Sequence, residues 1–382
     1  MGDAVEASVQ FRNKSDVNDD TVDTETDALS KLHNWEDDIV GGYLVIIFIL
    51  ALTLNALVIY TCLHNWKSLI MSDYYILNLA FSDVILPISA FPLPISSSFN
   101  HHWLYGKTGC VAYGFLGFFF GLVSITTLTL MGLTRYISIC HPHINISSKR
   151  FIKNTILFTY AYSITWSSLP LTGWGSYSLE SYGTSCTLQW DENRVFITLM
   201  SIFCISMPSV IMVISYTLIF HRSRSSHRTV RGSNTNTTKM SRKESYLIKI
   251  TFAMCWGFMI SWLPYAVVSM WTAYGDITML PIRLTVGAVL LAKTSTVVNP
   301  VIYFLLSNKF RPLLIRSLNC RGIHLIFYKQ RKKCDMNKAT IPLMPVECTP
   351  RHESNPIHSS DTASNSESIA PKLLENFTTV DL

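Results

Sequence analysis

Seven stretches of this chain are apolar over about 20 residues or more, the length that crosses a bilayer core as a helix. They run over residues 42–63, 74–97, 110–140, 154–174, 195–220, 246–273 and 284–307. Lipid offers backbone amides no partner, so each stretch must close its own hydrogen bonds as a helix. The expected fold is therefore all-α membrane, a seven-transmembrane helix bundle. Composition agrees, with 49% apolar and only 15% charged residues in 382. Prolines at 87, 92, 94, 170, 208, 264 and 300 predict kinks or helix ends, because neighbouring helices can satisfy the carbonyls they free. No basic leader precedes the first span, which is expected to direct insertion itself.

Charge orients the bundle. Residues 1–41 are rich in acids, whereas 147–153, 221–249 and 309–338 are rich in Lys and Arg. Basic loops stay cytoplasmic, so the amino terminus is expected outside and the carboxyl terminus inside, on a multi-pass plasma-membrane protein. The net charge of +6 then needs no nucleic-acid partner. Anionic membrane lipids and an acidic cytosolic protein account for it. Four regions follow: a disordered acidic segment 1–41, the bundle 42–307, a short amphipathic cytoplasmic helix 308–320 and a disordered tail 321–382. Asn13 begins a glycosylation acceptor on the outer side; the acceptors at Asn145 and Asn236 face inward and are out of reach. Cys320, after the amphipathic stretch, reads either as a palmitoylation site or as a bare thiol. Cys110 opens the third span at its outer end and Cys186 lies in the second outer loop. In an oxidising compartment these two predict a disulfide.

Lys293 is the only charge in 284–307 and sits about 15 Å into that helix. A lysine at this depth costs roughly 3 kcal/mol on insertion scales, so an ion pair or a covalent adduct must compensate. A desolvated amine attacks an aldehyde to give a Schiff base. Pairing with a buried carboxylate such as Asp83 is the other reading. Depth counts against it: Asp83 and Asn299 lie roughly 12–14 Å above the inner face, Lys293 and Trp262 a little over 20 Å. Lys293 therefore groups with Trp262 and Tyr265 in an upper aromatic compartment. Asp83 groups with Asn78 and Asn299 in a lower polar cluster that can hold water or sodium. The third span supplies no acid from Cys110 to Thr134, and Tyr113 occupies its outer turn. Glu180, six residues before Cys186, is the remaining candidate counterion for a charged Lys293 adduct.

Trp66, Asn78-Leu79-Ala80 with Asp83, Trp103 before Cys110, Arg135-Tyr136, Pro208 with Tyr216, Trp262-Leu263-Pro264-Tyr265 and Asn299-Pro300-Val301-Ile302-Tyr303 follow one another in order. Together they resemble the rhodopsin-like G-protein-coupled receptors over about residues 40 to 320. Lys293, seven residues before Pro300, matches the position that marks an opsin. Gly183-Thr184-Ser185-Cys186-Thr187-Leu188, Gly117-Phe118-Phe119-Phe120-Gly121 and 261–268 resemble the neuropsin-type opsins in particular. The resemblance implies a light-sensing receptor carrying 11-cis or all-trans retinal on Lys293, lined by Tyr113, Gly117, Trp262 and Tyr265. It implies activation through Asp83, Arg135, Asn299, Pro300 and Tyr303, with Arg135 locked by Glu244 until the sixth helix pivots at Pro264. The implied partners are a heterotrimeric G protein and, through Ser and Thr in 354–379, a receptor kinase and arrestin.

Two departures stand out. Thr134 occupies the place where the family carries an acid beside the arginine, which predicts raised dark activity or altered coupling. Phe91 before Pro92 stands where neuropsins carry a lysine linked to ultraviolet absorption, so that property does not transfer. Two other classes stay open: a retinal photoisomerase, which Thr134 favours, and a receptor whose Lys293 anchors a diffusible acidic ligand. Metal-ligand clusters, phosphate loops and nucleophile triads are not in the sequence, so no enzyme is expected.

Overall fold

The computed structural model describes residues 29–64, 66–144, 146, 148–229, 242–276 and 279–306, without the side chains of 68, 224–229 and 242–244. Asn13, Asn145, Asn236, Cys320, the stretch 308–320 and the tail lie outside the described residues.

Helix α1 spans Asn34–His64 and starts eight residues before the sequence reading placed it. Glu36, Asp37 and Asp38 occupy its first turns, where carboxylates offset the positive end of the helix dipole. The second rod is α2 (Met71–Ala90) continued by α3 (Pro92–Phe99). Pro92 has no amide hydrogen, and the rod breaks there, with Phe91 N donating to Pro87 O at 3.1 Å and Ile95 N to Phe91 O at 3.1 Å on either side.

Helix α4 (Gly106–Cys140) is the central post. It packs against α2, the fourth rod α5 (Lys149–Ser168), the fifth and sixth rods and both strands of the outer hairpin. The fifth rod joins α6 (Arg194–Met200), a π-helical stretch Ser201–Ser206 and α7 (Met207–Thr229). In the π-helical stretch the Phe203 carbonyl accepts from the Tyr162 hydroxyl at 2.9 Å. Helix α8 (Arg242–Tyr274) carries Pro264, and α9 (Ile282–Leu306) carries Pro300.

Among the described residues six rods are long and apolar enough to span a membrane by length and composition; α5 is the exception. Its buried residues are Ile152 and then Thr159, Ser163 and Ser167, the last three small side chains that allow close approach. Thr159 donates to Thr155 O (3.1 Å), Ser163 to Thr159 O (2.8 Å) and Ser167 to Ser163 O (2.7 Å). The hydroxyls are thus satisfied on their own helix, and low apolarity does not prevent burial. Outward, Ile49, Ile88, Leu157, Ile214, Ile260 and Val267 stand exposed, as a surface solvated by hydrocarbon requires.

Between α5 and α6 the chain forms an antiparallel hairpin, β1 (Tyr177–Leu179) with β2 (Cys186–Leu188), registered so that Leu179 faces Cys186. The expected Cys110–Cys186 disulfide is present, with Cα atoms 5.4 Å apart. It fastens β2 to the outer end of α4. Gly114 allows the close fit, because a Cβ there would lie 2.6 Å from the Tyr177 ring.

Candidate functional site

Under the hairpin lies a cavity of about 170 Å³. Its walls are mainly apolar and aromatic, with Gly117, Gly121, Phe258 and Trp262 among them, and Lys293 and Glu180 are its charged residues. Gly117 would meet nothing within 4 Å if it carried a Cβ, so its lack of a side chain leaves room in the cavity. A Cβ on Gly121 would come within 3.2 Å of the Trp262 ring. All the lining residues named in the sequence reading, Tyr113, Gly117, Trp262 and Tyr265, border this space.

Lys293 is half-buried on α9 and donates from Nζ to the Tyr113 hydroxyl. Its ammonium lies 5.0 Å from the Tyr113 ring centroid and 5.6 Å from that of Phe91, close enough for cation–π attraction. Phe91 reaches this position because it stands at the break between α2 and α3. Ser185 Oγ donates to the same Tyr113 hydroxyl at 3.1 Å, so the hairpin turn and Lys293 share one acceptor.

Glu180 is buried beside this pair. Its backbone N–H donates to Ser185 O at 2.8 Å, which closes the hairpin turn, and Oε1 accepts from Tyr265 at 3.0 Å. Thr187 Oγ1 meets the same Tyr265 oxygen at 2.5 Å. Burial pushes the Glu180 carboxyl up to about 7, while the Tyr265 hydroxyl and the Lys293 charge pull it back. Among the described residues no carboxylate lies within 4 Å of Lys293 Nζ, so the two charges interact across the cavity rather than as a contact pair. In the sequence Ser185 and Thr187 stand out only as part of the neuropsin-like motif, with no role in the site. Their alternation with Cys186 in a strand was the available signal, since it turns both to the face opposite the half-cystine.

Deeper in the bundle, Trp262 Nε1 donates to Ser295 Oγ at 3.0 Å and ties α8 to α9. Below it, Asn299 Nδ2 donates to Asp83 Oδ2 at 3.3 Å, both side chains buried. Asn78 does not join them, which corrects the expected cluster. It donates to Thr127 Oγ1 at 3.0 Å and accepts from Tyr160 at 3.0 Å, binding α2 to α4 and α5. Five helical residues separate Asn78 from Asp83, a turn of about 140°, so equal depth does not give a shared face.

Asn55, absent from the sequence reading, takes the place beside Asn299 instead. It donates to Ala51 O and Thr296 O, each at 2.9 Å. With Asn299, Pro300 and Tyr303 it borders a space of about 10 Å³, roughly what one water needs. Tyr303 donates to Asp73 Oδ1 at 3.1 Å, while Asp73 Oδ2 accepts from Ile70 N at 3.1 Å and caps α2.

Arg135 is buried at the inner end of α4, and Thr134 beside it donates to Met131 O at 3.1 Å. Glu244 falls in the first turn of α8, but its side chain lies outside the described residues.

The 7 transmembrane receptor (rhodopsin family) profile matches residues 54–303. Opsin-5 of Homo sapiens is 38% identical over 289 residues, covering 74% of this chain and 81% of that protein. Melanopsin-A of Gadus morhua is 34% identical over 312 residues, covering 77% of this chain and 54% of that protein. A crystal structure of squid rhodopsin superposes with a TM-score of 0.70 at 26% identity, covering 87% of this chain and 98% of that one. The chain belongs to the rhodopsin family of seven-transmembrane receptors. Within it the protein is a light-sensing, retinal-binding receptor of the opsin kind, in a family that couples to G proteins, and it is not an enzyme; its likeness to Opsin-5 bears out the neuropsin-type resemblance.

Proposed function

We propose that Lys293 Nζ is the attachment point for retinal and that Glu180 is the acid that balances the resulting charge. The single observation carrying this is the Lys293 amine in the wall of an apolar cavity, with one buried carboxylate across from it. The residues fit the group: an amine for the aldehyde, aromatic walls for a polyene, and open space at Gly117. Retinal supplies a light-driven change of double-bond geometry when held there as a Schiff base.

The chain's own residues do the rest. Tyr113 and Ser185 hold the nitrogen of Lys293 in place at the outer end. Glu180, kept by Tyr265 and the hairpin, supplies negative charge through the cavity, and water can bridge the remaining gap. Trp262 forms the floor, and its bond to Ser295 makes the relative position of α8 and α9 sensitive to pressure from above. Pro264 lacks the amide that would stiffen α8 one turn away, so the inner half of α8 can swing as a unit. Arg135 and Glu244 restrain that swing, and separation of the inner ends opens a groove for a G-protein helix.

The amino terminus lies outside and the carboxyl terminus inside, by the basic loops. Asn13 is then open to glycosylation, and the inner tail to a receptor kinase and arrestin. Purified receptor mixed with 11-cis or all-trans retinal should form a pigment whose absorption changes on illumination. Illuminated pigment should then accelerate nucleotide exchange on a heterotrimeric G protein. Pigment formation without light-dependent exchange would favour a photoisomerase, and no pigment at all would remove Lys293 from the role.

A further inference from the structure

The outer end of the cavity is closed by more than the hairpin. Residues preceding α1 lie across it: Leu29 forms an antiparallel bridge with His102, Ser30 N donates to His101 O at 2.8 Å, and Lys31 N donates to Tyr182 O at 3.1 Å. Leu32 then packs in one apolar cluster with Tyr182, Val286, Val289 and Tyr265. Val289 and Tyr265 also line the cavity, so this cover and the cavity wall are continuous.

Polar contacts converge under the cover on Asp37, which is fully buried. Ser30 Oγ lies 2.9 Å from Asp37 Oδ1 and 3.0 Å from Tyr182 O. The second carboxylate oxygen, Oδ2, lies 3.4 Å from His101 Nδ1. Both atoms are buried, and neither meets hydrogen-bond geometry with a partner among the described residues, so they face each other at ion-pair distance only. His101 is moreover the described non-glycine residue with positive φ, at 61°. A side chain in that backbone region carries strain that its contacts must offset. Glycine would relieve it, yet an imidazole is placed there, facing a carboxylate.

We propose that Asp37 and His101 form an extracellular proton-binding site that fastens the outer cover of the cavity, so that external acid tightens the cover and external base loosens it. Histidine is the side chain that changes charge in the physiological range. With the shared proton present, His101 pairs with Asp37 and holds both the first outer loop and, through Ser30, the hairpin turn. With the proton gone, the imidazole is neutral and its charge attraction to the buried Asp37 carboxylate is lost, which leaves at most a neutral N–H facing Oδ2 across 3.4 Å.

Other charged groups nearby are engaged or aimed elsewhere. Glu36 pairs with Arg283 of α9 at 2.7 Å, and His102 Nδ1 meets Asn100 O at 2.7 Å. Glu180 on the hairpin turns inward to Tyr265. Lys31 and His33 on the covering segment and Asp38 on α1 complete the set, and among the described residues His101 alone comes within 4 Å of Asp37 with a basic nitrogen. That the cover guards retinal, and that it faces outside, rests on the function proposed above.

The test is run on full-length receptor without retinal, so failure of the retinal assignment leaves its outcome intact. Hydrogen exchange is measured at about pH 5.5 and about pH 8, spanning histidine titration, and expressed as protection relative to intrinsic exchange. Amides of Ser30 and Lys31 should be protected about tenfold more at the acid pH, the scale of a charge-assisted hydrogen bond. His101→Asn, which tolerates the left-handed backbone and does not titrate, should abolish that difference. Asp37→Asn should do the same and decides the matter if the first variant fails to fold. Equal protection at both pH values in the parent, or an unchanged pH difference in a folded variant, overturns the proposal.

Discussion

The outer and inner halves of the bundle solve the same problem, polar groups in a lipid-solvated core, by different means. In the inner half, Asp83, Asn299, Asn55 and Tyr303 sit on the helices themselves and meet partners on adjacent rods. In the outer half, Lys293 depends on groups brought in by a loop: Ser185 reaches its Tyr113 acceptor, and Glu180 sits across the cavity on Tyr265. The inner network is thus built into the rods and can change when they shift. On the proposed function, the outer network keeps retinal only while the hairpin stays fastened. Signalling needs the first property, and chromophore retention needs the second.

That contrast can be broken experimentally, most forcefully at Lys293. Lys293→Ala should abolish pigment formation completely in an absorption measurement while leaving a folded receptor. A coloured adduct in this variant would remove the outer compartment's defining residue. Next in size is Cys110→Ser. Opening a link that closes 76 residues of chain should cost about 4 kcal/mol by loop entropy, read as a lower thermal midpoint. If the hairpin is the fastener, pigment yield should fall further than helix content does.

Glu180→Gln sharpens the electrostatic half. With retinal bound, the variant should shift toward an unprotonated, ultraviolet-absorbing pigment at neutral pH; an unmoved spectrum would reassign the counterion. Without retinal the sign is set by burial. The folded carboxyl titrates at about 7 against an ordinary 4.5, so the folded state favours the protonated form. The parent should therefore lose stability relative to Glu180→Gln as pH rises through that window, and parallel stability curves would contradict it.

The inner half predicts smaller effects. Tyr303→Phe removes the donor to Asp73, a loss of about 1–3 kcal/mol for a buried hydrogen bond to a carboxylate. Basal nucleotide exchange should change while the dark absorption spectrum stays put; a spectral shift instead would mean the halves are not separable. Smallest is Thr134→Asp, which should lower basal signalling in darkness with retinal bound. Equal activity would show that the missing acid has no consequence here.

Much of this architecture was legible because membranes impose simple rules. Apolar length located the rods, including the fourth, whose hydroxyl-rich face obscures it by composition. Helical rise put Lys293 level with Trp262 and well above Asp83, as the cavity and the Asp83–Asn299 bond bear out. Rise gives depth without azimuth, however. Depth alone therefore groups Asn78 with Asp83, and it does not pick out Asn55, although an asparagine in an apolar span is itself a signal of a polar partner. Composition places Leu29 to Leu32 in a disordered acidic segment, because it says nothing about a neighbouring histidine 64 residues beyond Asp37.

The linear order of residues was enough to determine the number of spans, the buried amine and the disulfide that ties a loop above it. These follow from local quantities: apolar length, the cost of a charge in hydrocarbon, and redox compartment. Tertiary structure decided which polar groups touch, placing Glu180 on Tyr265, Ser185 on Tyr113, Asn78 on Tyr160 and Asp37 on His101. Each of those contacts depends on the rotation of one rod against another or on the path of a loop. Many residues far apart in sequence set those geometries jointly, and no single segment encodes them.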